Sequence, residues 1–538
     1  MPKTPSAVQK CFPAFCSLQL TYIYQPIRPP QKFPTFHVLF LNHPKPQKFP
    51  CTKAMIPLPD GFCYTRDQFI HDAIMLRTDT MLKRLLNFIS SRQAAPKTTG
   101  PTVIPRDQHN ISRKNISPAA IKIIKQLEDA GFSAYLVGGG VRDLLLGGHP
   151  KDFDIATDAK PEEIKRVFRS ARIIGRRFQI VHVRIGREMF EVTTFRGHHE
   201  DVAHAKSKTE EGMLLRDNVY GTIETDAARR DFTVNALYYT TRDFSVHDYS
   251  NGLEDIKNRT IRMIGDPVTR YKEDPVRMLR AVRFAAKLGF KIEPNTAKPI
   301  VELSNLLGNI SEARMFEEVL KLFLGGSATA TFNLLREYDL LKQLFPGADA
   351  AIKSGDELAA ALIERSMINT DKRIRGEKTV TPAFIYAALL WPALQQELKR
   401  IEGQMPPQAA YLEACQNVIS LQLSRTSIPK RFLIPMREIW DLQARLPNRQ
   451  GMRALRLLDH PRFRAAYDFL LMREDAGEKL NGLGSWWTAF QSASDDAREQ
   501  MVKDLGKQNA SSRPRRRRPR KPAGGGASAN PNNTPGTD

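Results

Sequence analysis

The stretch YLVGGGVRDLLLGGHPKDFDIAT, residues 135–157, constrains the fold of this chain more than any other. AYLV (134–137) reads as a buried strand. Gly138, Gly139 and Gly140 then allow a tight turn before a helix predicted to start near Val141. A second turn leads into KDFDIAT, predicted as another strand. Two strands flanking a short helix need a sheet with helices packed beside it. On a strand, residues two apart share a face, so Asp152 and Asp154 are expected to aim together while Phe153 faces the core. Two close ionised carboxylates repel unless a cation lies between them or one is protonated. Hard oxygen donors suit Mg²⁺ or Mn²⁺. The plain alternative is a solvated acidic pair on an edge strand.

The glycines weigh against that alternative. Backbone N–H groups at a helix start meet phosphate oxygens, glycine permits close approach, and Arg142 offers a charged contact. The spacing is neither G-x-G-x-x-G nor G-x-x-x-x-G-K-[ST], which excludes the two commonest glycine motifs. The duller reading is a tight turn with Arg142 paired to Asp143 or Asp154.

Around this stretch, Ser117-Pro118 starts a helix that Gly131 stops, Pro161 starts another, and QIVHVRIG and EMFEVTTFR form a hairpin turning at Gly186-Arg187. Alternation puts Glu191, Thr193 and Phe195 on one strand face, opposite Phe190 and Val192. Glu191 is thus one candidate third carboxylate. Asp231, preceded by Arg229 and Arg230, is the other; its alternative role is to cap the helix expected after it. Asp274 reads as an N-cap with Pro275 at the first helical position and Arg277 on the first turn. From about residue 275 strand signals fade, and DPVRMLRAVRFAAKLGF, EARMFEEVLKLFLGG, TPAFIYAALLW and PRFRAAYDFLLMR all carry helix-period apolar patterns.

Charge narrows the partner. Lys plus Arg number 81 against 58 Asp plus Glu, a net +23, which favours a polyanion and nucleic acid first. The alternative is an ordinary soluble protein with a basic tail. In that tail Arg513, Arg515, Arg516, Arg517, Arg518, Arg520 and Lys521 are placed to contact nucleic-acid phosphates without reading sequence. Lys430 and Arg431 are basic candidates in the helical part. The five cysteines show no CxxC spacing, which suits a reduced, cytosolic setting without structural metal. No apolar run approaches the roughly 18 residues of a membrane span. Residues 1–60, rich in proline and aromatics, are expected to lack a fold, and MLRTDTMLKRLLNFISS to form a short basic helix. One expectation is that translation starts at Met75 or Met81 rather than at residue 1.

Five blocks in order, LVGGGVRD, KDFDIAT, EVTTFRG, RRDFTVNAL and EDPVRMLRAVRFAAKLGF, resemble the nucleotidyltransferases of the DNA polymerase β superfamily. The similar branch contains bacterial poly(A) polymerases and tRNA CCA-adding enzymes, and the resemblance covers roughly residues 103–475. It implies an α+β fold: a polymerase β-like head followed by an all-helical neck, body and C-terminal region. The expected divisions are an extension over 1–100, the head over 101–250, the neck over 251–345, the body over 346–508 and an Arg-rich tail over 509–538. The resemblance implies that Asp152 and Asp154 hold Mg²⁺, one ion activating an RNA 3′-hydroxyl and another clamping the triphosphate. It implies nucleotide contacts from Gly138, Gly139, Arg142, Arg229 and Arg230, and base reading by Asp274 and Arg277 supported by Arg280. Asp231 is counted with the catalytic carboxylates in the poly(A) branch, with Glu191 its rival.

Similarity of the EVTTFRGHHE and distal IPKRFL segments to that branch, together with the Arg-rich tail, leans toward ATP-dependent poly(A) addition to RNA 3′ ends. The expected setting is cytoplasmic, with RNA-decay or RNA-chaperone proteins as partners. The runner-up activity is tRNA CCA addition, and a catalytically silent RNA-binding protein is the reading from another class.

Overall fold

A computed structural model describes residues 100–175, 179–197 and 219–511, with side chains to residue 505, and two short strands at Ile56–Pro57 and Cys63–Tyr64. The expected helix near Met75 or Met81 and the basic tail lie outside the described residues. The chain divides into two units, Met1–Lys97 and Thr98–Asp538, and the second holds everything discussed below.

Its N-terminal part is built on an eight-stranded mixed sheet. In chain order the strands are β1 (Thr102–Ile104), β2 (Ala134–Val137), β3 (Asp154–Thr157), β4 (Arg172–Ile174), β5 (Ile180–Ile185), β6 (Glu188–Thr194), β7 (Leu237–Tyr239) and β8 (Val246–Asp248). Across the sheet the order is β1-β8-β7-β2-β3-β6-β5-β4, with β3 and β6 as its one parallel pair. Ile155 lies opposite Val192 in that pair, so Asp154 and Glu191 fall side by side at its N-terminal end.

Helix α1 (Pro118–Asp129) starts where the sequence predicts: Ser117 accepts from the Ala119 N–H, and the chain leaves through Gly131 at φ 89°. Helices α1, α2 (Gly139–Leu145) and α3 (Pro161–Val167) cover one sheet face, where Ile124, Leu127, Leu136, Ile155, Ile164 and Val192 are buried. The opposite face carries only a small apolar patch of Val137, Ala156, Phe195, Ala227 and Tyr238, and is the face left open for a site.

Two expectations shift. Helix α2 begins at Gly139 rather than near Val141, because Gly138 at φ 72° makes the whole turn and frees the next two glycines for the first helical turn. Strand β3 begins at Asp154, so Asp152 sits in the exposed lead-in; Phe153 between them is buried, as alternation requires.

After α4 (Ile223–Arg229), β7, β8 and α5 (Gly252–Lys257), β9 (Thr260–Ile261) pairs in parallel with β10 (Lys291–Ile292). Otherwise the chain is helical from α6 (Pro267–Glu273) and α7 (Val276–Leu288) through α8 (Pro294–Leu303) and α9 (Glu312–Phe323) to residue 511. Gly289 at φ 66° ends α7. One continuous core runs from Phe232 to Met472, and a second, holding Trp487 and Phe490, packs the last helices. Among the described residues no helix is long and apolar enough to cross a membrane, and Cys415 is buried and unpaired.

Candidate active site

The open sheet face and helices α4, α7 and α9 line a cavity of about 410 Å³. Its lining is unusually charged, with six arginines and six carboxylates among sixteen residues. The sequence reading named Asp154, Glu191, Arg229, Arg230, Asp231, Asp274, Arg277 and Arg280, and all of these line it; Asp152, expected to aim with Asp154, does not.

On the head side, β3 presents Asp154 and β6 presents Glu191 and Thr193. No hydrogen bond from the described residues reaches the Asp154 carboxylate. Burial first, and then the charges of Glu191 and Asp152, push its pKa up to about 6, against the pull of Arg230. Glu191 faces His182 at 3.7 Å from the neighbouring strand. Gly138 is required by its backbone, at φ 72°, rather than by space: a Cβ on it would meet Arg230 Nη1 and Asp154 Oδ2 at ordinary contact distances of 3.4 and 3.9 Å. One on Gly140 would stand a tight 3.3 Å from the Asp152 carbonyl. Among the described residues no three His, Cys, Asp or Glu side chains close into a metal cage. An open carboxylate set of this kind suits a hard cation that takes its remaining oxygens from water and phosphate.

Asp231 is placed differently. Its Oδ2 accepts from Arg280 Nε and Nη2 at 2.8 and 2.5 Å, and its Oδ1 accepts from the Phe232 N–H and from Asn235 Nδ2 at 2.8 and 3.1 Å. Burial opposes the charge, but Arg280, Asn235 and Phe232 outweigh it and hold the pKa at about 2. Asp231 caps no α-helix, since only a single 3₁₀ turn, Thr233–Asn235, follows. Asn235 in turn accepts from Arg142 Nη1 at 2.5 Å, and Arg142 also donates to Asp143 at 2.6 and 2.8 Å. Arg142 is 2% exposed and is absent from the cavity lining, so the paired alternative describes its geometry. Gly138 and Gly139 lie at the same turn.

Arg230 donates to Asp226 Oδ2 at 3.0 and 3.2 Å and to Tyr238 Oη at 2.9 Å, which fixes its guanidinium at the cavity wall beside Arg229. Tyr238 donates to the same Asp226 oxygen at 2.6 Å, and Asp226 stays ionised because Arg230, Tyr238 and Arg196 overcome its burial.

On the opposite side, Asp274 is not the expected N-cap. It ends α6, Pro275 caps α7, and the carboxylate pairs with Arg314 of α9 at 2.8 Å. Its other oxygen, Oδ1, is buried with no hydrogen-bond partner among the described residues. Arg277 Nη1 donates to Glu273 at 3.0 Å and to the Arg270 carbonyl at 2.7 Å. The sequence reading missed Asp226, Arg314 and Glu318. Arg314 and Glu318 are four apart on α9, a spacing that reads from sequence as an ordinary solvated pair. Lys430 and Arg431 stand on a distal helix, Lys430–Arg445, and do not line this cavity.

Comparison with known proteins matches three segments of the chain to family models. Residues 134–262 match the Poly A polymerase head domain, 289–352 the "Probable RNA and SrmB- binding site of polymerase A", and 403–522 the "Polymerase A arginine-rich C-terminus". The chain is 48% identical over 430 residues to Poly(A) polymerase I of Escherichia coli O6:H1, covering 78% of this chain and 92% of that protein. The CCA-adding enzyme of Lactobacillus helveticus is 40% identical over 221 residues, covering 41% of this chain and 53% of that one. The solved Bacillus stearothermophilus CCA-adding enzyme in complex with CTP is 27% identical, with a TM-score of 0.48 over 74% of this chain and 83% of that one.

Proposed function

The chain belongs to the poly(A) polymerase family, and on that premise we propose that it is a template-independent adenylyltransferase adding poly(A) to RNA 3′ ends from ATP. The observation that carries the reading is the two-sided cavity. Unneutralised carboxylates stand on the head wall, a buried unpartnered carboxylate oxygen on the neck wall, and arginines between them. That distribution suits a nucleoside triphosphate with its phosphates toward β3 and β6 and its base toward α7. The similarity to Poly(A) polymerase I spans nearly that whole protein, whereas the CCA-adding enzyme matches over about half its length, which favours poly(A) over CCA addition.

Asp154 and Glu191, side by side on β3 and β6, fit Mg²⁺, which binds through one or two carboxylates with water and phosphate. Their donors are hard oxygens, and a divalent cation would relieve the burial and the Glu191 repulsion that raise Asp154, with Asp152 approaching from the exposed lead-in. When bound, the ion supplies charge neutralisation of the triphosphate and activation of the RNA 3′-hydroxyl. Arg230, clamped by Asp226 and Tyr238, and Arg229 hold the phosphates. Asp274 Oδ1 accepts from the adenine amino group while Arg277 donates to ring N1. The 3′-hydroxyl then gives its proton to solvent water and its oxygen bonds to the α-phosphorus, as the bond to the bridging oxygen breaks and pyrophosphate leaves. Asp231, with both oxygens committed, acts by holding Arg280 and Asn235, and through Asn235 it fixes Arg142 beneath the glycine turn. Glu191 is the third carboxylate in this reading. The same reading places the enzyme in the cytoplasm, with its ATP and transcripts and with RNA-decay or RNA-chaperone proteins sharing those 3′ ends.

Primer extension with Mg²⁺ tests it, with ATP, CTP or both offered to a generic RNA and to a tRNA lacking CCA. A long ladder on generic RNA with ATP alone is expected. Growth of the tRNA by a few nucleotides that requires CTP would replace poly(A) with CCA addition, and no extension at all would leave an RNA-binding protein.

A further inference from the structure

Arg270 contacts both walls of the cavity without lining it. From α6 its Nη2 donates to two successive carbonyls at the end of α4, Arg229 O at 2.6 Å and Arg230 O at 2.8 Å. Those residues are the phosphate-facing arginines of the head. Its Nη1 donates to Glu273 Oε2 at 2.7 Å, the same oxygen that accepts from Arg277 Nη1 at 3.0 Å. Arg277 Nη1 donates in turn to the Arg270 carbonyl at 2.7 Å. One guanidinium therefore ties the backbone carrying Arg229 and Arg230 to the side chain placed to read the base.

This arrangement is a poor device for stability alone. Arg270 is 9% exposed, and its Nε is buried without a partner among the described residues. Burial, then the nearby charge of Arg277, draws its pKa down to about 10 despite Glu273. A buried donor left unmatched costs free energy, and such residues concentrate where geometry is held for function. The end of a helix suits a cation, but any cation placed there serves that purpose. Only the planar fork of arginine reaches the two carbonyls and the carboxylate together.

We propose that Arg270 is a positioning residue for nucleotide choice, setting the spacing between the triphosphate arginines Arg229 and Arg230 and the base-reading Arg277. A nucleotide whose phosphates seat on the head wall then meets Arg277 at a fixed reach, which a purine fills and a pyrimidine leaves short. This rests on the adenylyltransferase reading, since it takes ATP as the ligand.

The test compares wild type with Arg270→Lys, which keeps the charge and removes the fork. ATP-over-CTP preference should fall about tenfold, mainly through a higher KM for ATP, while kcat and RNA affinity change little. Glu273→Gln removes the charge of the shared acceptor at constant size and should move the ratio the same way, which covers a failure of Arg270→Lys to fold. Adding Arg270→Lys to Arg277→Ala should lower the preference no further, because the two act through one contact. Equilibrium binding of ATP and CTP without RNA gives the same comparison independently of turnover. A wild-type chain that binds ATP selectively yet extends no primer would sink the polymerase reading and leave this one standing. An unchanged ATP:CTP ratio in both single variants, with turnover on the two nucleotides lowered alike, overturns the role of Arg270.

Discussion

Asp154 is at odds with its surroundings in the metal-free chain. Its carboxyl is partly buried, lacks a hydrogen bond from the described residues, and faces Glu191 and Asp152. Because it keeps its proton up to about pH 6 in the fold, whereas an unfolded Asp releases it at about 4, the folded state binds the extra proton between those values. Stability at this site is therefore fully present below pH 4 and is lost as pH rises through 6, by about 2–3 kcal/mol. Asp154→Asn in Mg²⁺-free protein should raise the melting temperature at pH 8, with the gain vanishing near pH 4. A melting temperature that falls at pH 8 would mean the carboxylate is already compensated. Asp231 shows the opposite electrostatics although it bears the same functional expectation. In sequence the two aspartates look alike; what separates them is chiefly the arrival of Arg280 from a helix 49 residues further on, together with the Asn235 and Phe232 donors. Of the D-x-D pair, local alternation made the burial of Phe153 and the strand position of Asp154 legible, but not that the strand starts only at Asp154 and leaves Asp152 in the exposed lead-in. The commitment of Asp231 was not legible, because it depends on packing between distant elements.

At the scale of elements, the glycine turn connects backbone to chemistry. The spacing predicted a turn before a helix, but not that Gly138 alone takes the positive φ and so starts the helix two residues early. Gly138→Ala should cost about 1–2 kcal/mol for the left-handed backbone. It should also lower adenylate transfer by about tenfold, because relaxing that backbone shifts the turn that lies against Arg230 and Asp154. Normal turnover in a destabilised variant would separate the turn from the site. Helices α1, α3 and α7 were readable from their proline, serine and glycine punctuation. Asp274 was misread as a cap because Asp-Pro before a helix carries that signal, while here its carboxylate is drawn to Arg314, forty residues away.

At the scale of the whole chain, charge and chemistry divide the work. The cavity balances six arginines with six carboxylates, so attraction to long RNA has to come from elsewhere. The seven basic residues between Arg513 and Lys521 are the densest source in the sequence, although they lie outside the described residues. Removing residues 510–538 should flatten the salt dependence of RNA affinity, by roughly 0.7 in log–log slope for each phosphate no longer neutralised, and leave the KM for ATP unchanged. An identical slope would assign RNA attraction to the helical body. The head-then-helices layout was legible from the fading of strand periodicity after residue 275; how α9 returns Arg314 to the head's cavity was not, because its apolar pattern fixes only which side is buried.

The most direct test of the adenylyltransferase site is single-adenylate addition to a 5′-labelled RNA with Mg²⁺ and ATP, comparing wild type with Asp154→Asn, Glu191→Gln and Asp231→Asn. Losses of roughly 10³-fold are expected for Asp154→Asn and about 10²-fold for Glu191→Gln. A smaller loss is expected for Asp231→Asn, which still hydrogen-bonds Arg280. Near-normal addition by Asp154→Asn would contradict the metal-binding site outright, and an Asp231→Asn chain as inactive as Asp154→Asn would return the third catalytic carboxylate to Asp231.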